Sequence, residues 1–366
     1  MTSTGDQTAL LEQQEAALKL AQVQRNRTLV RWWLYVICLL VLAMVVVGGA
    51  TRLTESGLSI TEWKPIHGVV PPLTLEEWEE EFVKYQQIPQ YSEINPDMNL
   101  EEFKVIFWWE WGHRLLGRVI GVAFFVPMVV FWVRGRLEPW LKPRLVIALV
   151  LGGLQGALGW YMVASGLVER VDVSQYRLAA HLTLACVIFA YLFWIARRLA
   201  PGETPTSLEQ QRLSGIGWLF LALVFVQIFL GGLVAGLNAG FTFNTWPLMD
   251  GQWIPVGLLD LSPVWRNFFE NIMTVQFQHR MVAYLIMIVA VVLMVMSKRR
   301  SGAKKIMMRA GHINGFVLLQ VILGIVTLLT VVHLHVALTH QALAVFVLGA
   351  AVDYLAGLKG PYPIRT

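Results

Sequence analysis

The chain has 366 residues, 56% hydrophobic and only 14% charged, with a mean hydropathy of +0.57. Soluble domains carry charge on about a quarter of their residues, so this composition excludes an ordinary soluble protein. The net charge of +5 lies in basic residues that flank apolar runs, which points to membrane surfaces and not to nucleic acid.

The tail 1–28 carries Asp6, Glu12 and Glu15 and has no apolar run of its own. A secretory signal needs an apolar core and a transit peptide avoids acids, so neither fits. We expect a short amphipathic cytoplasmic helix there, in a bacterial inner-membrane protein. Eight apolar runs follow, near 30–51, 106–133, 145–166, 177–197, 213–236, 271–297, 309–332 and 335–356. Each reaches the ~20 residues that a bilayer crossing needs. Arg25, Arg27 and Arg31 precede the first. Arg134, Arg136, Lys142 and Arg144 lie between the second and third, Arg197, Arg198 and Arg212 between the fourth and fifth, and Lys298, Arg299, Arg300, Lys304, Lys305 and Arg309 between the sixth and seventh. The alternate connections are poor in Lys and Arg. The positive-inside rule therefore puts both termini in the cytoplasm.

Span one ends in Gly48-Gly49 and leads to Gly57, Trp63-Lys64-Pro65 and His67-Gly68. Loop 52–105 contains Pro71-Pro72 and an acid-rich run, Glu76, Glu77, Glu79, Glu80 and Glu81, read as a solvated face. Short surface helices are expected around 74–86 and 99–105. Span two opens with Glu110-Trp111-Gly112-His113-Arg114. Span three holds Leu154-Gln155-Gly156, and span four holds His181. Cys38 in span one and Cys186 in span four read as small packing residues. Without Cys-x-x-Cys-His, covalent haem attachment is excluded.

The second half echoes the first. Gly231, Gly232, Gly240, Trp246 and Gly251 follow Gly48, Gly49, Gly57, Trp63 and Gly68 at an offset of 183. Gln276-Phe277-Gln278-His279-Arg280 answers 110–114 at 166, Leu319-Gln320 answers Leu154-Gln155 at 165, and His340 answers His181 at 159. The offsets fall only across loops, as in a duplication with loop insertions. Four spans per unit keep both units in one orientation, a parallel repeat. The reading is an all-α membrane protein of eight transmembrane helices, arranged as two tandem pseudo-twofold-related four-helix bundles. The divisions are a cytoplasmic tail 1–28, an N-terminal bundle 29–200, a cytoplasmic linker 201–212, a C-terminal bundle 213–357 and a tail 358–366.

Each half thus has one histidine early in its second span and one early in its fourth: His113 with His181, and His279 with His340. By helix rise each lies roughly 5–12 Å inside the outer end of its span. Two imidazoles at one depth on two helices of a bundle suit bis-histidine haem ligation. A di-iron site would also use Glu-x-x-His, as in Glu110 and His113, but the second half offers Gln276. Copper or zinc would need ligands closer than two bundle cores bring them. His67, His312, His333 and His335 read as polar surface. The lone acid Glu110 marks the N-terminal pair as the reaction site, where a carboxylate can take protons or stabilise cationic charge. The competing reading is that Glu110 only orients Arg114 toward a haem propionate. Arg280 and Arg52 are further propionate candidates.

The motifs 48–68, 110–114, 154–167, 177–182, 236–251, 276–280 and 337–341 together resemble the haem A synthase family, in its proteobacterial and mitochondrial branch. The resemblance covers nearly all of the chain beyond residue 28. It implies oxidation of a methyl group of haem O to a formyl group, by successive hydroxylation and loss of water, giving haem A for cytochrome oxidase. It also implies haem b as cofactor on His279 and His340, and substrate haem O on His113 and His181, with Glu110 as the acid. The Gram-positive branch has a cysteine pair in its outer loops and this chain does not, so no role of that pair carries over. Candidate partners are haem O synthase, cytochrome oxidase assembly factors, an unidentified electron partner and a second copy of the chain. The alternatives are a bis-haem b electron-transfer cytochrome and a haem-binding or export factor.

Overall fold

The structure, a computed structural model, describes all residues except 1–3, 64–66, 169, 203–204, 302 and 365–366. Lys64 and Pro65 of the Trp63-Lys64-Pro65 motif lie outside the described residues. Apart from an isolated bridge between Met249 and Gln252, the regular elements are helical. The spans are α1 (Thr4–Leu53), α4 (Leu100–Val133), α5 (Leu141–Val163), α6 (Gln175–Leu199), α7 (Ser207–Gly236), α9 (Ile272–Arg300), α10 (Lys304–Leu329) and α11 (Leu334–Lys359). All eight are long and apolar enough to cross a bilayer, and the chain is a multi-pass membrane protein. The short helices are α2 (Leu75–Tyr85), α3 (Pro89–Ile94) and α8 (Asn267–Glu270).

Several boundaries differ from the sequence reading for local reasons. The tail is helical but not separate, because no proline or glycine interrupts the chain between Gly5 and Gly48. The helix expected at 99–105 is the first part of α4. Asn99 and Glu102 form a capping box, and nothing stops the helix until Val133. Hydropathy trimmed the basic ends: Arg198 belongs to α6, Lys298–Arg300 to α9 and Lys304 and Lys305 to α10. Long basic side chains reach the interface from helix ends, so the helices run past the apolar window.

Neighbours repeat between the halves. α1 packs on α4 and α6, as α7 packs on α9 and α11. α5 packs on α4 and α6, as α10 packs on α9 and α11. Between the halves α6 meets α7, as α11 meets α1, and α6 meets α11 at the centre. α1, α6, α7 and α11 form the interior, while α4, α5 and α10 lie mostly outside. Gly232 and Gly236 set α7 close against Ala179 and Gln175 of α6.

The main apolar core is continuous through both halves. It gathers Leu34, Cys38, Leu145, Leu192, Phe220, Leu293 and Tyr354 from the basic-flanked half of the helices and Cys186 from the middle of α6. The four histidines lie in the other half. Over the N-terminal unit a second cluster of Leu58, Trp78, Tyr85, Phe103 and Phe107 binds the large loop to α4. Its acidic run is not purely solvated, because Lys84 draws in Glu62, Glu80 and Glu81 at 2.6–3.0 Å. At the far end Arg27 makes paired bonds of 2.7 and 2.8 Å to Glu138 and also binds the carbonyls of Tyr362 and Pro363.

Candidate haem-ligating sites

His113 stands on α4, one turn beyond Glu110, and its ring lies against Gly48 of α1. A Cβ at Gly48 would come within 3.3 Å of His113 Cε1. His279 of α9 lies on Gly231 of α7 in the same way, at 3.4 Å. His181 of α6 rests on Gly159 of α5, and His340 of α11 on Gly324 of α10, at 2.9 and 3.0 Å. The imidazoles of His181 and His340 therefore occupy space that glycine leaves free on the neighbouring helix, while a Cβ at Gly48 or Gly231 would only crowd His113 or His279. His181 lies within electrostatic range of His113, and His340 of His279. The structure thus brings together both pairs of the sequence reading. One detail differs: α4 begins at Leu100, so His113 sits about 20 Å along its helix, whose outer turns rise beside the large loop.

Three of the histidines touch a glutamine that the sequence reading gave no role. Gln155 Nε2 donates to His181 O at 3.1 Å and lies 3.3 Å from its Nε2. Gln320 Nε2 donates to His340 O at 3.0 Å and lies 3.5 Å from its Nε2. Gln227 Nε2 donates to His279 O at 3.1 Å and lies 3.1 and 3.3 Å from the two ring nitrogens. Gln155 and Gln320 were visible as repeated motif positions. Gln227 was not, because its repeat partner at offset 183 is Met44.

Glu110 is only 3% exposed and both of its oxygens are engaged. One accepts from Arg114 Nε and Nη2 at 3.0 and 2.6 Å. The other accepts from Ser59 Oγ and Ile60 N at 2.8 and 2.7 Å. Arg114 also donates to the carbonyls of Glu62 and Ile60. Gln276 and Arg280 reproduce this clamp. Arg280 donates to Gln276 Oε1 and to the carbonyls of Thr245 and Phe243, the repeat positions of Glu62 and Ile60. Gln276 Nε2 donates to the carbonyls of Ala239 and Thr242. The acid and the amide therefore differ for a local reason: loop 59–60 presents donors where loop 239–242 presents acceptors.

Arg52, one turn beyond Gly48, donates to Ala235 O and Asn238 Oδ1 and lies 3.7 Å from Asp172. Its Nε and that of Arg280 are buried with no hydrogen-bond partner among the described residues. His333 and His335 stack loosely at the start of α11, with ring centroids 5.6 Å apart. Cys38 and Cys186 are buried free thiols in the main core.

Haem fits both pairs on observations internal to the protein. The ring nitrogens His181 Nδ1 and His340 Nδ1 are buried without a partner among the described residues, as are the Oε1 atoms of Gln155, Gln227 and Gln320. An imidazole that gives one nitrogen to iron keeps a proton on the other, and needs an acceptor for it. In each of these carboxamides Nε2 faces the ring, and the unpartnered Oε1 on the same group is the acceptor available for that proton.

Residues 31–352 match the COX15-CtaA family, described as cytochrome oxidase assembly protein. The chain belongs to that family. It is 57% identical to the haem A synthase of Mesorhizobium japonicum over 93% of each chain. It is 56% identical to the haem A synthase of a Chelativorans species, covering 93% of this chain and 94% of that one. For the haem A synthase of Brucella anthropi the identity is 55%, over 92% and 94%.

Proposed function

We infer that this protein makes haem A for cytochrome oxidase by oxidising a methyl group of haem O to a formyl group. The observation that carries the reading is the pair of matched histidine sites in a chain of this family. Oxidising the methyl group to a geminal diol removes four electrons and four protons and takes up two oxygen atoms from water, the electrons passing to an external electron partner, and loss of one water leaves the formyl group. We assign haem O to His113 and His181, and a resident haem b to His279 and His340. Haem b, when bound, supplies the redox chemistry of an iron porphyrin.

The chain's own residues then have separable tasks. The histidines fix each macrocycle between two helices, and the glycines and glutamines behind them fix the ring planes. Glu110 and Arg114 hold loop 59–62 over the N-terminal pair and put a carboxylate one turn from His113, placed to take a proton or stabilise positive charge. The unpartnered Nε donors of Arg52 and Arg280 suit haem propionates, one at each site. Arg114 already spends Nε, Nη1 and Nη2 on Glu110 and the loop, so we assign it to the clamp. The repeated helix adjacency supports two four-helix units, 29–200 and 213–357, related by a pseudo-twofold axis. The basic helix ends support cytoplasmic termini in a bacterial inner membrane, with the histidines toward the outer face.

The test is to purify the protein from cells that make haem O, extract its haems and identify them by mass. Haem b together with haem O or haem A is expected. Haem b alone, with haem O supplied, would leave a bis-haem b electron-transfer cytochrome instead.

A further inference from the structure

A synthase must release its product while keeping its cofactor, so its two haem sites must differ in how tightly they hold iron. Besides Glu110 and Gln276, the halves differ at a further position beside the histidines. Gln155, Gln227 and Gln320 each bridge from a neighbouring helix to a histidine, bonding its backbone carbonyl at 3.0–3.1 Å and touching its ring. The fourth position is Met44 of α1, at the repeat offset from Gln227 of α7. Gly48 and Gly231 confirm the register, because each lies four residues further on and cradles its own half's histidine. Met44 Cε instead lies near α4, 3.5 Å from where a Cβ at Gly117 would stand. A thioether cannot donate, and its acceptor strength is weak. No hydrogen bond reaches the His113 ring among the described residues.

We propose that Met44 makes His113 the labile ligand of the N-terminal site, so that this haem exchanges while the C-terminal haem stays. The proposal rests on the assignment of haem O to the N-terminal pair. A ligating histidine whose ring is held by a partner typically binds its metal about 10- to 100-fold more tightly than one whose partner is removed. The carboxamides of Gln227 and Gln320 stand against His279 and His340, tied to the histidine carbonyls through Nε2 and each carrying a free Oε1 to accept the proton of an iron-bound imidazole. In the N-terminal pair only His181 is held, so His113 can swing off the iron first. Helix packing runs in the same direction: α9 and α10 pack against each other far more extensively than α4 and α5 do. The α4–α5 seam of the N-terminal unit is therefore the looser one, although α4 stays anchored to α1 and to the core through Phe124 and Met128. Met44 acts through His113 and is a positioning residue.

The experiment measures haem transfer from the full-length protein in nanodiscs to apomyoglobin, identifying the transferred haem by mass. Met44→Gln should slow release of the exchanging haem about 10- to 100-fold, with haem b retained as before. Gln227→Met should speed release of haem b by a similar factor. Met44→Leu, which also lacks a hydrogen-bonding group, must not reproduce the slowing. Equal slowing by Leu would assign the effect to packing and overturn the proposal, as would unchanged release from a folded Met44→Gln protein. A changed iron spectrum in Met44→Leu would make Met44 a ligand and overturn it too. The identity of the slowed haem is a separate readout. Slowed release of haem b in Met44→Gln would reverse the assignment of the two sites while leaving Met44 as the determinant of exchange.

Discussion

Replacing Glu110 by glutamine tests how the loop over the N-terminal site is held. Glutamine has one acceptor oxygen where the carboxylate uses two. If that oxygen stays on Arg114, as Gln276 does on Arg280, the amide nitrogen must face Ser59 Oγ and Ile60 N. Ser59 can turn its hydroxyl to Ile106 O, already 3.3 Å away. Ile60 N cannot turn, and an unpaired buried N–H costs about 1–3 kcal/mol. The bonds to Arg114 also lose their charge assistance, which removes roughly half their strength, about 1 kcal/mol. The clamp is therefore weakened by roughly 2–4 kcal/mol, and the loop is expected to lift. At about 1.4 kcal/mol per tenfold, amide hydrogen exchange at Ile60 should rise roughly 30- to 700-fold. Haem should remain bound and haem A output should fall. Unchanged exchange at Ile60 would refute the donor-acceptor argument. If haem A were still lost in that case, the charge of Glu110 and not its grip on the loop would be what the reaction needs.

Two further perturbations act elsewhere. Gly159→Ala places a Cβ 2.9 Å from His181 Cε1 and should displace the ring, lowering the haem content of the N-terminal site at unchanged helicity, read by haem extraction and circular dichroism. At the other end, burial would raise the pKa of Glu138, but its hydrogen bonds from Arg27 and Trp140 and the Arg27 charge outweigh that and lower it. A carboxylate whose folded pKa is depressed stabilises the fold above its ordinary pKa, and that stability is lost as pH falls through the folded value. Docking of the C-terminal residues Tyr362 and Pro363 should therefore loosen only below the ordinary carboxylate range. Glu138→Gln should remove that dependence, measured by proteolysis of the tail against pH.

Much of this architecture was legible in the sequence because two strong signals coincide. Apolar runs of bilayer length gave the spans, and the repeat converted four scattered histidines into two pairs. What was missed lies between elements. The glutamines bond to histidines 20 to 52 residues away on other helices, and no local pattern encodes that distance. Met44 is silent in the repeat pattern, because the pattern shows in identical positions and the informative position is one where the halves differ. Glu110 drew attention for its charge, yet its difference from Gln276 follows from backbone groups in loops whose conformation has no periodicity to read. The C-terminal tail was equally silent: Tyr362 stacks on Trp140 at 4.4 Å and lies under Arg198, from a segment too short to carry a pattern.

The central claim is that two histidine pairs hold two different haems, and paired alanine variants test it most directly. The haems extracted from purified His113→Ala and His279→Ala proteins are identified and counted by mass. The account predicts that His113→Ala loses haem O and haem A but keeps haem b, and that His279→Ala loses haem b. Equal loss of a single haem type from both variants would contradict it.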